Sequence, residues 1–358
     1  MTNAVSVAQS VASGVSLGFK NKIINGAMVI DQRNAGASVT QTTTPVYTVD
    51  RWFCYGTAGS KFTVQQNAGS VTPPAGFTKY LGCTSSSSYS VLTGDALGVG
   101  QLIEGLNVAD LGWGTVNAQP ITISFWVRSS LTGSFGGALQ NAASNRSYPF
   151  SYTISAANTW EYKTISIAGD TSGTWLTTNG IGLQVLFTLG AGATYSGTVN
   201  TWAASNLWQP TGSTSVVGTN GATWYITGVQ LEVGTQATNF EYRDYGRELI
   251  MCQRYCQVLT QGTSFIGGAA FSGSRANIYY YPPVVFRTNP SMTYPSVTGG
   301  NWDYAGSGFL TFTAYNDYYL SSTYLSFYLS GLSSAPAVGS PGNLVMASGQ
   351  RIIISAEL

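Results

Sequence analysis

The sequence contains no histidine, and that absence excludes more chemistry than any motif in it includes. Histidine is the commonest general base, the usual orienting member of a catalytic triad and the commonest metal ligand. Zinc is poorly served as well: the four cysteines, Cys54, Cys83, Cys252 and Cys256, form no CxxC and have no histidine to complete a set. Charge is equally scarce. Lys and Arg number 15, Asp and Glu 14, together 8% of the 358 residues, against roughly a quarter in ordinary domains. With a net charge of +1 there is no basic field for a phosphate backbone, so nucleic-acid binding is not expected. No run of 18 apolar residues is present to span a membrane. The first positive charge is Lys20, so the start of the chain lacks the charged region of a secretory signal and reads as made in a cytoplasm.

What is present is apolar and aromatic. Hydrophobic residues make up 44% and aromatics 13%, so the chain is not of the disordered class. Its surface must be polar through Ser, Thr, Asn, Gln and Gly, which suits extracellular, multimeric or virion proteins and predicts burial between subunits. Cys252 and Cys256 have helical i, i+4 spacing, which favours buried reduced thiols over a disulfide.

Along the chain, residues 1–25 are small and polar with scattered valines, and read as a docking segment. Residues 26–240 read as short strands between Gly/Ser/Thr/Asn turns. Ile121–Val127, Trp160–Ile167, Ile181–Leu189 and Trp224–Val233 alternate apolar and polar faces. About ten such segments predict a β-sandwich or jelly roll. Gln101–Leu111 has room for one short turn or helix. Charge then concentrates: seven of the 29 charges fall between Glu232 and Arg254. Tyr245–Leu259 carries an apolar stripe at Leu249, Cys252, Tyr255, Cys256 and Leu259, which predicts one helix at a domain junction, residues 241–260. That helix suits a three-helix seam between subunits or an ordinary connection. Residues 261–358 return to strands: Ala276–Tyr281, Leu310–Tyr315, Tyr324–Leu329 and Arg351–Leu358. This domain's tyrosine-rich, nearly uncharged face predicts a subunit interface or a recognition surface. The expected fold class is therefore all-β, a jelly-roll β-sandwich and a smaller C-terminal β domain joined by one short helix.

Sugar recognition needs an aromatic platform with planar polar groups to grip hydroxyls. Trp113, Trp175, Trp202 and Trp208 lie in turn-like stretches, and Arg146 and Asp170 offer charged hydrogen bonds nearby. The alternative is that these tryptophans close the ends of the sandwich or line an interface. Trp52, Trp126 and Trp160 sit in or beside strands and read as core. A structural calcium would draw on Asp50, Asp31 or Glu232, although no EF-hand loop is present. Glycoside hydrolysis needs only two carboxylates, so a depolymerase stands as an alternative. No β-helix repeat supports it. Gly190–Gly192 lacks the GxxxxGK[ST] pattern of a phosphate cradle.

Several motifs resemble, in order, a domain common in tail-fibre-like proteins of phages of aquatic bacteria. They are Ile24–Gly36, Tyr47–Trp52, Thr122–Ser129, Asn158–Ile165, Gly169–Trp175, Gly228–Gly234, Phe240–Arg243, Cys252–Tyr255 and Ala356–Leu358. The resemblance spans nearly the whole chain. It implies a carbohydrate-binding-module-like jelly roll and a small β domain, a homotrimer, a place in the virion as a tail fibre or receptor-binding protein, and non-enzymatic adhesion to host surface glycans. A head or tail decoration without glycan affinity is the structural alternative. The matched motifs are scaffold-like, so the resemblance assigns no binding residue.

Overall fold

A computed structural model describes residues 19–260, 266–304 and 308–358. It is built of β-sheet with one α-helix among the described residues, and divides into two compact units between Asp244 and Tyr245.

The first unit is a sandwich of two six-stranded antiparallel sheets. One sheet orders its strands β1 (Val39–Thr40), β4 (Phe62–Gln66), β5 (Leu81–Ser85), β14 (Thr223–Val233), β7 (Ile121–Ser129) and β10 (Glu161–Ile167). The other orders β2 (Val46–Tyr47), β3 (Trp52–Gly56), β6 (Ala96–Glu104), β11 (Ile181–Ala191), β8 (Gly133–Gln140) and β9 (Ser147–Ile154). A short parallel pair, β12 (Ser196–Gly197) and β13 (Gln209–Pro210), completes the unit. Strand periodicity decides what fills the core. Ile121, Ile123, Phe125 and Val127 of β7 meet Leu183, Val185, Phe187 and Leu189 of β11 in one buried cluster with Trp52 and Trp224. The buried indole of Trp224 donates to the Tyr152 hydroxyl at 2.9 Å.

The same periodicity corrects the reading of two tryptophans. Trp52 is core, but Trp126 alternates with Phe125 and Val127 and so faces outward, packed on its cross-strand partner Tyr162. Trp160 is half-buried against Tyr80 and donates to the Thr72 carbonyl. The Gln101–Leu111 stretch holds no helix of length. It finishes β6 and then makes two 3₁₀ turns, Gly105–Asn107 and Ala109–Leu111.

Residues 1–18 of the expected docking segment lie outside the described residues. Residues 19–25 belong to the sandwich instead. Lys22 N–H donates to Leu231 O, Asn21 Nδ2 to Val229 O, and Ile24 exchanges two bonds with the Gln101 carboxamide. Residues 241–244 also close this unit: the Glu241 carboxylate accepts from the Lys20 and Asn21 N–H groups, and Arg243 donates to Ile23 O.

The second unit opens with α1 (Tyr245–Gln253). The helix is shorter than the apolar stripe predicted. Tyr255 N–H turns back to Cys252 O, and the chain enters β15 (Cys256–Thr260), whose ladder with β24 (Arg351–Ser355) supplies the hydrogen bonds a longer helix would have made. Cys252, Tyr255, Cys256 and Leu259 are buried as expected, the last two as strand residues. β15 and β24 form a small sheet with β18 (Ser291–Thr293).

The larger sheet has seven strands in the order β20 (Gly308–Thr311), β19 (Asn301–Tyr304), β23 (Pro341–Val345), β16 (Ile266–Ser272), β17 (Arg275–Tyr280), β22 (Leu325–Ser330) and β21 (Ala314–Leu320). The predicted strand Leu310–Tyr315 is thus two strands, and they sit at opposite edges of the sheet. Phe312 and Thr313 alone join them, a span of at most about 10 Å, so those two strand ends approach and the sheet curls toward an open barrel whose edge strands are not paired with each other among the described residues. The curl is held at that corner: Ser333 N–H donates to Thr311 O and Thr311 N–H to Ser333 Oγ, tying the end of β20 to the chain just after β22. Trp302, Ile278, Leu325, Phe327, Leu329 and Leu344 fill the interior.

Candidate functional site

The structure gathers five of the six predicted sugar-contacting residues at one end of the sandwich. Trp113 lies between Trp175 and Trp202 with ring centroids 4.7 and 5.2 Å away, edge to face in both cases. Tyr148 of β9 packs on Trp202. Arg146 grips Asp170 with two parallel hydrogen bonds of 2.8 and 2.6 Å, and Gly173, at φ 80°, lets the arginine stem lie across the loop that carries Trp175. Trp208 is elsewhere, on the outer face of the second sheet against Tyr55.

Most polar groups of this cluster are already committed. Trp113 Nε1 donates to Gln119 O, Trp175 Nε1 to Ser172 O and Trp202 Nε1 to Ala168 O. Asp170 also accepts from Ser172 N–H, while Gly114 N–H donates to its backbone carbonyl. Hydrogen bonding to the carboxylate favours the charged guanidinium and holds Arg146 above its ordinary pKa. What remains for a ligand is the half-exposed ring surface of Trp175 and Trp202, with Arg146 Nη1 and the Tyr148 hydroxyl, which make no hydrogen bond among the described residues. A groove of about 410 Å³ further along the sandwich offers hydroxyls from Ser134, Ser151, Thr198 and Thr211, but neither ring nor charge.

The calcium candidates do not converge. Asp31 accepts from Asn34 and Gly36 N–H groups and shapes its own turn. Asp50 is buried under Gln32, and burial raises its pKa against the hydrogen bonds from that residue. Glu232 holds Thr238 and Gln230. Among the described residues no three Asp, Glu, Cys or His side chains are grouped as metal ligands.

The second unit shows what the first hides. Phe271, Tyr279, Tyr281, Phe309, Tyr318 and Tyr319 are all exposed on or beside the barrel strands. Arg275 lies over three rings, with its guanidinium carbon 3.8 Å from the Tyr328 centroid, 4.9 Å from Phe271 and 5.0 Å from Tyr318. Its Nε donates to Asn277 Oδ1. Tyr279, Tyr281 and Tyr319 each approach Tyr324. The sequence marks this face only as tyrosine-rich; which rings share the outside of the barrel depends on register.

No family model and no curated protein sequence matches this chain. Among solved structures the matches are distant. A family 11 carbohydrate-binding module from Clostridium thermocellum, in complex with a mixed-linked tetrasaccharide, is 14% identical over 56% of this chain and 98% of its own, with a TM-score of 0.26. An N-terminal CBM22 tandem domain from Paenibacillus barcinonensis is 8% identical over 90% of this chain and all of its own, with a TM-score of 0.25. The enzymatically active domain of tailspike protein 4 of bacteriophage CBA120 is 12% identical over 60% of this chain, with a TM-score of 0.30, and the match spans only 21% of that tailspike chain. These scores mark only a distant likeness and say nothing of ligand or activity.

Proposed function

We propose that this chain is a non-enzymatic attachment protein of a bacteriophage virion, a tail fibre or receptor-binding protein that acts as a homotrimer on host surface glycans. The observation that carries the reading is the set of exposed aromatic rings on the C-terminal barrel. Exposed rings with polar neighbours suit the alternating apolar and hydroxyl surfaces of sugars, and they are costly to leave in water without a partner. The carboxylates of the sandwich support the non-enzymatic part. Asp95, Asp110, Asp170, Glu161, Glu232 and Glu241 each hold a backbone N–H, a hydroxyl or a cation. A hydrolytic pair needs two carboxyl groups facing a common substrate. The sandwich with residues 19–25 is the rigid carrier in this reading, and the preceding residues dock to other virion proteins.

The test is adsorption. Purified chain, added to susceptible cells, is expected to block particle adsorption, and periodate oxidation of the cell surface is expected to abolish its binding. Binding to no susceptible cell would favour the decoration alternative. Release of new reducing ends from host polysaccharide would favour a depolymerase.

A further inference from the structure

We propose that the wall of the C-terminal barrel carries a binding site for a neutral pyranose, built on one cross-strand row: Phe309, Asp303, Asn343 and Gly267. This deepens the glycan reading above and rests on it. The row is set by register. Phe309 of β20 is paired with Asp303 of β19, Asp303 with Asn343 of β23, and Asn343 with Gly267 of β16. Trp302, Leu310, Leu344 and Ile266, one position along each strand, are buried inside the barrel, so the row faces outward. Asp303, Asn343 and Gly267 line a depression of about 390 Å³ with Gly268, Pro341 and Gly342. Phe309, the cross-strand neighbour of Asp303, has 64% of its surface exposed.

Two features separate this place from the tryptophan cluster of the sandwich. Its polar groups are unspent: among the described residues, neither the Asp303 carboxylate nor the Asn343 carboxamide has a hydrogen-bond partner. Its floor is open where packing does not demand it. Gly268 must be glycine, because a Cβ would lie 2.0 Å from Asn277 O. Gly342 is closed off in the same way, since a Cβ would lie 2.5 Å from the ring of Trp302. At Gly267 an added Cβ would meet only Asn343 Oδ1, at 3.8 Å. Glycine weakens a strand, so its presence at a position with room for any side chain marks space kept for something else.

The chemistry of the row fits a sugar ring. The Phe309 face takes the C–H face of a pyranose. Asp303 accepts hydrogen bonds from adjacent hydroxyls, and Asn343 both donates and accepts. A carboxylate without a counter-ion repels uronic and sialic acids, so the ligand is neutral.

Saturation-transfer NMR on the full chain tests this, with methyl β-glucopyranoside, methyl β-galactopyranoside and methyl β-glucuronide as probes. Saturation is expected on the ring C–H protons of at least one neutral glycoside, and on none of the glucuronide. Phe309→Ala and Gly267→Leu are expected to remove the signal. Asp303→Asn is expected to weaken binding about tenfold, the usual scale for a hydrogen bond to a charged acceptor. Unchanged melting temperatures of the variants exclude misfolding, and Trp202→Ala is expected to keep the signal. Binding of neutral glycosides that survives all three row substitutions overturns this site and leaves the glycan reading standing. No saturation from either neutral probe overturns the site, and cell adsorption then decides the wider reading. Row substitutions that change the mass in light scattering show a subunit interface, which also overturns the site.

Discussion

Arg146 and Asp170 form a two-pronged ion pair at the loop end of the sandwich, Nε to Oδ2 at 2.8 Å and Nη2 to Oδ1 at 2.6 Å. The Asp170 side chain is 2% exposed and that of Arg146 17%. Removing one partner leaves the other charge desolvated, so Asp170→Ala is expected to destabilise the sandwich by about 3 kcal/mol. Arg146→Ala acts on the same interaction, so the double variant is expected to cost clearly less than the sum. Denaturant melts of the two single variants and the double variant read this directly, and additive losses would show that the pair is not coupled.

The same pair shows how much could be read in the sequence. Turn composition marks Arg146, Asp170, Trp113, Trp175 and Trp202, and the fold does bring them together. What composition does not disclose is where each N–H points, and here the indoles spend theirs on the Gln119, Ser172 and Ala168 carbonyls. The sandwich itself was legible because a half-buried strand must alternate. β7, β10, β11 and β14 fall where the alternation places them, whereas Trp126 required the phase of that alternation as well as its presence. The barrel row was not legible. Phe309 and Asp303 are joined by a local hairpin, but Asn343 and Gly267 come from strands 40 and 36 residues away, and only register aligns the four.

Trp113 and Trp175 are expected to part company under substitution. Trp113 is buried between two other indoles, so Trp113→Ala opens a cavity and is expected to cost about 3–5 kcal/mol. Trp175 is half-exposed, and Trp175→Phe keeps an aromatic edge against Trp113 while losing the bond to Ser172 O. Its expected cost is about 1 kcal/mol. Thermal melts followed by near-ultraviolet circular dichroism separate the two. Equal losses would mean that the cluster has no buried centre.

None of the four cysteines is in a disulfide, and all are buried. Burial pushes Cys54 up to about 12, and Cys83, with Cys54 beside it, also well above its ordinary range. The thiolate is the reactive form, so the native chain is expected to leave these two unlabelled by a disulfide reagent at pH 8. Four thiols per chain are expected to react once denaturant is added. Rapid native labelling of Cys54 or Cys83, located by peptide mass, would show that the sandwich opens locally.

Asp50 gives the chain a pH dependence of unusual sign. Burial raises its pKa, and the side-chain and backbone hydrogen bonds from Gln32, with Arg33 nearby, offset only part of that. In the unfolded chain the carboxyl returns to its ordinary value of 3.8. The folded chain therefore takes up this proton first as pH falls from neutrality. Between the two values the folded state binds more protons, so the Asp50 contribution to stability rises on acidification and levels off below 3.8. Asp50→Asn removes the titration while keeping an acceptor for Gln32 N–H. Other carboxylates, such as Asp95 and Glu161, titrate alike in both proteins and drop out of the comparison. The melting temperature of Asp50→Asn minus that of the unsubstituted chain is therefore expected to fall as pH is lowered from neutrality toward the carboxylate range. A difference that grows on acidification would show instead that the fold holds Asp50 ionised, and that Gln32 and Arg33 outweigh its burial.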